Sequence, residues 1–326
     1  MPPKSMALHK GLGLKAHTAK YFHRVRIQFG QQVSMLRRLS SKKAIYSFTR
    51  KNRPAYHVMD GETVVVETGD CFSGLARSES DLFEDIAMGD VNPATGPIAV
   101  EGMRAGEILC VEVKRIKCGK AGVVMCSPDL GILASDVRKS RTRIVRIKGN
   151  KAVFSKDLEI DLNPHIGVVG VSPLKGEFPT FHPGDYGGNL DTVEVRERSK
   201  LYLPTFVDGA MVAIGDVHAA MGDGEVCGTG IEVPAEVTVR LSEDSEMSLT
   251  RPMIETPTEW FSYAAAKTLD QAAKLATHDL VRFISDRRGC DFEEAYMLAS
   301  VAADLRISQV VDPLVAARMS ISKRYL

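Results

Sequence analysis

Residues 215–228 read GDVHAAMGDGEVCG, two aspartates, a histidine and a glutamate set among four glycines. Asp216 and His218 stand two apart, so an extended backbone turns both side chains to one face. A carboxylate and an imidazole converging in this way suit a divalent cation of the zinc type. The Gly-Asp-Gly-Glu that follows makes a tight return able to bring Asp223 or Glu225 beside them. A second stretch, FHPGDYGGNLDT at 181–192, offers Asp185, Asn189 and Asp191 as oxygen donors and His182 as a nitrogen donor. Its glycines, Gly184, Gly187 and Gly188, free the backbone for positive φ or for close approach to a ligand. Alone, each stretch also reads as a glycine-rich polar loop; together they describe one divided site. Asp70 at a strand end and Glu232 in TGIEV are further polar candidates, and His57 reads as a strand-edge histidine.

Several chemistries are excluded by what the chain lacks. It has no GxSxG elbow, no GxxxxGK[ST] phosphate loop, no GxGxxG between strand and helix, and no HExxH. A Ser-Ser-Lys triplet at Ser40, Ser41 and Lys42 lies outside any glycine-rich setting. Cys227 reads as a small core thiol rather than a nucleophile, and Ser172, before Pro173, reads as structural.

These residues need a scaffold, and the pattern from Ala44 onward is mostly strands. ETVVVETGD, EILCVEVKRIKC, GVVGVSP, MVAIGDVHA and AEVTVRLSE carry alternating or β-branched apolar runs bounded by Gly and Asp. TRIVRIKGNKAVFS predicts a hairpin turning at Gly149–Asn150. Near Pro257 the composition shifts to Ala and Leu at helical spacing. This predicts a first helix capped by Thr258 and ended by Gly289, and a second capped by Asp291 with Glu294. The run ISQVVDPL returns to β character before Pro313. The expectation is a mainly β protein with α elements (α+β). A β-sandwich or distorted barrel body spans 44–255, helical elements at 256–326 pack on it, and 1–43 form a basic leader.

The 326 residues suffice for one large domain or two, and 44% apolar with 25% charged is the balance of a soluble globular chain. Through Met59 there are 13 Lys/Arg and no acid, which leaves the rest 29 basic against 41 acidic groups. An acidic body argues against nucleic acid as partner, and no apolar run is long enough to argue for a membrane span. The acid-free leader lacks the apolar core of a secretory signal and reads as flexible, with an organelle transit role as the other option. Six cysteines without a CxxC pair argue against a zinc ribbon or disulfide scaffold and for a cytoplasmic setting.

Taken together, GVVGVSP, HPGDYGGNLD, GDVHAAMGDGEVCGTGIEV and AYMLASVAADLRISQVVD resemble, in sequence and order, the acetamidase/formamidase family from Ala44 to Leu326. The resemblance implies a β-rich, homo-oligomeric hydrolase (dimer or higher) that cleaves short linear amides such as formamide or acetamide to carboxylate and ammonia. Cyclic γ-lactam hydrolysis on the same scaffold is the enzymatic alternative, and a non-catalytic small-molecule binding protein is the other. The resemblance also implies a divalent metal, zinc or alternatively calcium, for which Asp70, Asp191, Asp216 and His218 are the expected ligands. Glu225 or Glu232 is then the general base, while Asn189 and the amides of Gly187 and Gly188 are expected to bind the carbonyl oxygen. The family pattern carries glutamine where Met221 stands and methionine where Leu190 stands. Met221 is therefore expected at the substrate, altering selectivity more than basic activity.

Overall fold

The computed structural model describes residues 37–326. Two large sheets, of nine and eleven strands, and a two-stranded sheet make up the β framework. The strand Ala235–Asp244 shows why the first large sheet has an inside: Val237, Val239 and Leu241 are fully buried while Arg240 faces solvent. The same core takes in Val64 and Val66 from Glu62–Thr68, Leu201 and Leu203 from Lys200–Pro204, and Ile166, Val168 and Ile214 from the second sheet. Apolar side chains from two sheets filling one interior make a β-sandwich, as the alternating pattern predicted. The hairpin at Gly149–Asn150 forms, with Lys148 opposite Lys151 and Gly149 at φ 60°.

The two strands that flank the site depart from alternation. Val212–His218 and His165–Gly170 are buried along their whole length, so each has protein on both faces. That double burial is what takes Asp216 and His218 out of water.

The C-terminal part corrects the expected boundaries. TEWFSYAAA belongs to the strand Glu259–Ala266, which pairs antiparallel with Val315–Ser322. Its two faces pack into different cores, Phe261 and Tyr263 between the sheets and Trp260 and Ala264 under the helices, a placement that bulky aromatic residues suit on a pleated surface. The first helix, α1, is Leu269–Arg288, capped by Thr268 rather than Thr258 and closed by Gly289 at φ 64°. Asp291 caps the second, α2, Phe292–Ala302, accepting from the Glu294 amide at 2.8 Å. Both helices cover one end of the nine-stranded sheet through Leu280, Val281, Ile284 and Ala299 against Tyr202, Met253 and Trp260. Because Lys200–Pro204, Met253–Glu255 and Glu259–Ala266 are neighbours in that sheet, no structural boundary falls at 255.

The leader also ends earlier than expected. Arg37–Leu39 is a strand lying parallel to Val64–Val66, and Arg38 pairs with Glu67 and Glu236. The rest of the expected leader, residues 1–36, lies outside the described residues.

Candidate active site

The eleven-stranded sheet places Gly187–Asn189 beside His165–Gly170, then Val212–His218, then Glu232–Val233. Register puts His165 opposite His218 and His218 opposite Glu232, a row across three strands. The two glycine-rich stretches thus meet across a single strand. At the crossing, the amides of Leu190 and Asp191 both donate to Gly167 O, at 2.8 and 3.3 Å. Gly167 has no alternative residue type: a Cβ there would lie 2.6 Å from Asp191 Oδ1 and 2.8 Å from Asp216 Oδ2.

Asn92, Asp191, Asp216 and Glu225 all have φ between 39° and 53°. Non-glycine residues seldom adopt this region and each costs of order 1–3 kcal/mol there. Four such residues at one place mark a site whose side-chain directions are held against local preference. Asp216 and His218 do converge, but through this bent backbone rather than a regular strand.

His218 Nε2 lies 3.2 Å from Glu232 Oε2, 3.5 Å from Asp216 Oδ1 and 3.8 Å from Glu225 Oε1. Its other nitrogen, Nδ1, is 3.2 Å from His165 Nε2, and His165 Nδ1 is 2.8 Å from Asn163 O. A carbonyl accepts only, so His165 Nδ1 carries the hydrogen and its Nε2 accepts from His218 Nδ1. That chain leaves His218 Nε2 facing the carboxylates. Asn92 Nδ2 donates to Asp216 Oδ2 at 3.0 Å and to Asn189 Oδ1 at 3.3 Å. Asn189 Nδ2 donates to Asp312 Oδ2 at 3.0 Å, which leaves it a second hydrogen. The Gly230 amide holds Glu232 Oε1 at 2.7 Å.

Electrostatically the cluster is out of balance. Burial, together with the neighbouring Asp216 charge, pushes Asp191 up to about 7, and burial pushes Glu232 to about 8. Burial and Asp191 push Glu225 and Asp312 well above the carboxylate range. Burial works against the His218 imidazolium, but Glu232 and Asp216 outweigh it and push its pKa up. Both oxygens of Asp191, Asp216 Oδ1, Glu232 Oε2 and His218 Nε2 are buried without a hydrogen-bond partner. Unpaired buried ionisable groups are costly, and a divalent cation is the group that relieves this donor set. Ligand atoms of Asp191, His218 and Glu225 lie within 4.8 Å of one another, as do those of Cys71, Asp216 and Glu232. The residues therefore fit a metal.

The loop bearing Glu225 is anchored from the C-terminal strands. Gly224 donates to Ser308 O and receives Val310 in a short parallel bridge. Arg318, fully buried, pairs with Glu194 and with Asp223, both at 2.7 Å. Asp223 thus serves the loop rather than the cluster.

A cavity of about 680 Å³ opens over the cluster, with Asn92, Asn189, Asp216, Glu225, Glu232 and Asp312 at its floor. Four expected residues, Asp70, Gly187, Gly188 and Met221, do not belong there in the expected way. Asp70 Oδ1 accepts from the amides of Phe72 and Gly74, both at 3.0 Å, so it builds a turn, and its neighbour Cys71 reaches the cluster instead. The Gly187 amide is spent on Gly184 O, and Gly187 and Gly188 allow contact with Val169 O and His182 O that any Cβ would block. Met221 lines a different cavity with Asn163 and Phe154. His57 is exposed beside Glu101, and Cys227 packs near Met125 O.

Asn92, His165 and Asp312 were missed. Asn92 and Asp312 each precede a proline, in VNPA and VDPL, a setting that restricts the backbone. His165 is visible only through its register with His218.

Fold and site together define a β-sandwich protein with a buried, carboxylate-rich cluster beneath a cavity of about 680 Å³. The family model for the acetamidase/formamidase family matches residues 48–182 and 175–323. The chain belongs to that family. An acetamidase from Bacillus halodurans superposes with a TM-score of 0.87 at 41% identity, covering 88% of this chain and 98% of that one. A predicted acetamidase/formamidase from Thermoanaerobacter tengcongensis gives 0.86 at 37%, covering 89% and 96%. A Schizosaccharomyces pombe protein bearing a formamidase name is 24% identical over 269 residues. That match spans 61% of this chain and 64% of the relative, less than two thirds of its length. No helix among the described residues is long and apolar enough to cross a membrane.

Proposed function

We propose that this chain hydrolyses the C–N bond of short linear amides, of the formamide and acetamide type, to a carboxylate and ammonia. The observation that carries the reading is the set of unpaired buried atoms on Asp191, Asp216, Glu232 and His218, a cluster whose Asp216 and Glu232 line the cavity. Asp191, His218 and Glu225 are the ligand set for a divalent metal, with Asp216 beside them. One imidazole among carboxylates favours zinc over calcium, which takes oxygen ligands. A cation of this kind polarises a carbonyl and lowers the pKa of water toward ~7.

The chain's own groups do the rest. The second hydrogen of Asn189 Nδ2 binds the carbonyl oxygen, and Asp312 holds that amide in place. Glu232 Oε2, free while Oε1 is pinned, takes a proton from the attacking water and returns it to the departing nitrogen. His165 keeps the His218 ring in orientation. A cytoplasmic, self-associating enzyme completes the proposal. Tyr296, Met297, Val301 and Leu305 are 52–83% exposed, and they offer an apolar face for a second copy.

Ammonia release from formamide and acetamide, alongside disappearance of a γ-lactam, tests the reaction. Linear amides are expected to release ammonia; lactam consumption without ammonia from either linear amide favours ring opening instead. His218→Ala is expected to lose turnover and bound metal together, and full metal occupancy in that variant removes His218 from the ligand set.

A further inference from the structure

The cavity has a mixed lining. Its acidic floor is described above; its apolar residues come from the loops around residues 72–91 and 130, with Phe181. Phe72 and Val91 are buried and fixed, Phe83 and Leu130 are half-buried, and Met88 is 52% exposed at the mouth. This wall has a small core of its own, in which Phe72, Ile86 and Val91 pack with Met125, so it stands without a ligand. Cavities of roughly 300–1,000 Å³ hold molecules far larger than an acetamide of four non-hydrogen atoms. With acetamide alone, the 680 Å³ would stay mostly water, and water weakens every electrostatic interaction at the floor.

We propose that the cavity selects a neutral amide whose apolar acyl chain is longer than acetyl, the carboxamide on the acidic floor and the chain along the Phe72–Phe83–Met88 wall. Glu84 and Asp129, also lining the cavity, disfavour a chain that ends in a carboxylate. The inference rests on the amidase reading and adds the substrate's acyl part to it.

The test is kcat/KM for ammonia release from acetamide, butyramide, hexanamide and adipamate. Burying a methylene is worth about fourfold, so hexanamide is expected to exceed acetamide by roughly 250-fold, with adipamate losing most of that gain. Met88→Asp, at an exposed position, is expected to cut the hexanamide-to-acetamide ratio about tenfold. A series that is flat or falls with chain length overturns the proposal, and so does a ratio untouched by Met88→Asp. If no amide releases ammonia, the amidase reading itself fails. Calorimetric binding of the same series then decides the wall: affinity rising with chain length supports it, and constant affinity overturns it.

Discussion

On the proposed metal assignment, chelation should make the protein's stability depend on pH in a direction opposite to that of most folded proteins. In the metal-free chain, burial raises Asp191 to about 7 from an ordinary 3.8, and raises Glu232 to about 8 from 4.5. Between these limits the unfolded chain has released its protons while the folded chain still holds them. Stability is therefore fully present below about pH 4 and is lost as pH climbs through 7 to 8. At ~1.4 kcal/mol per unit, Asp191 alone removes about 4 kcal/mol over that interval. Glu232 shares the same floor, so its loss overlaps with that of Asp191 rather than adding in full. For a body of this size the melting temperature should fall by roughly 10 °C between pH 5 and pH 8.5 after chelation. A bound cation would oppose this slope, because ligands must be deprotonated to bind it and affinity rises with pH. Saturation at a hundredfold excess over Kd adds about 2.7 kcal/mol. The assay is differential scanning calorimetry with and without chelator at both pH values. A chelated chain that melts higher at pH 8.5 than at pH 5, or a chelator without effect at pH 8.5, would falsify the assignment of these carboxylates to a cation.

Two other variants probe the support of the site. Gly167→Ala should push Asp191 and Asp216 apart, lowering bound metal and cutting kcat/KM by roughly a hundredfold; normal metal content in a folded variant refutes the close-approach argument. Arg318→Met leaves Glu194 buried without its partner and should cost about 3–5 kcal/mol of stability, read by urea denaturation. An unchanged midpoint means that Arg318 does not anchor the loop bearing Glu225.

The sequence by itself determined the sandwich, because apolar alternation along segments such as AEVTVRLSE is a local property that forces one face inward. It also determined the ends of the helices at Gly289 and Asp291, where capping chemistry is written in neighbouring residues. It misread TEWFSYAAA, because alanine favours a helix locally, whereas pairing with Val315–Ser322 is a long-range fact. For the site, residue types picked out Asp191, Asp216, His218, Glu225 and Glu232, since carboxylates and imidazole among glycines are conspicuous in any setting. Tertiary structure alone decided that Asp70 is committed to a turn, that Gly187 has spent its amide, and that Met221 opens on another cavity. It alone supplied His165, Asn92 and Asp312. Register across strands and positive φ values depend on contacts between segments far apart in the chain, and no short window of sequence contains them.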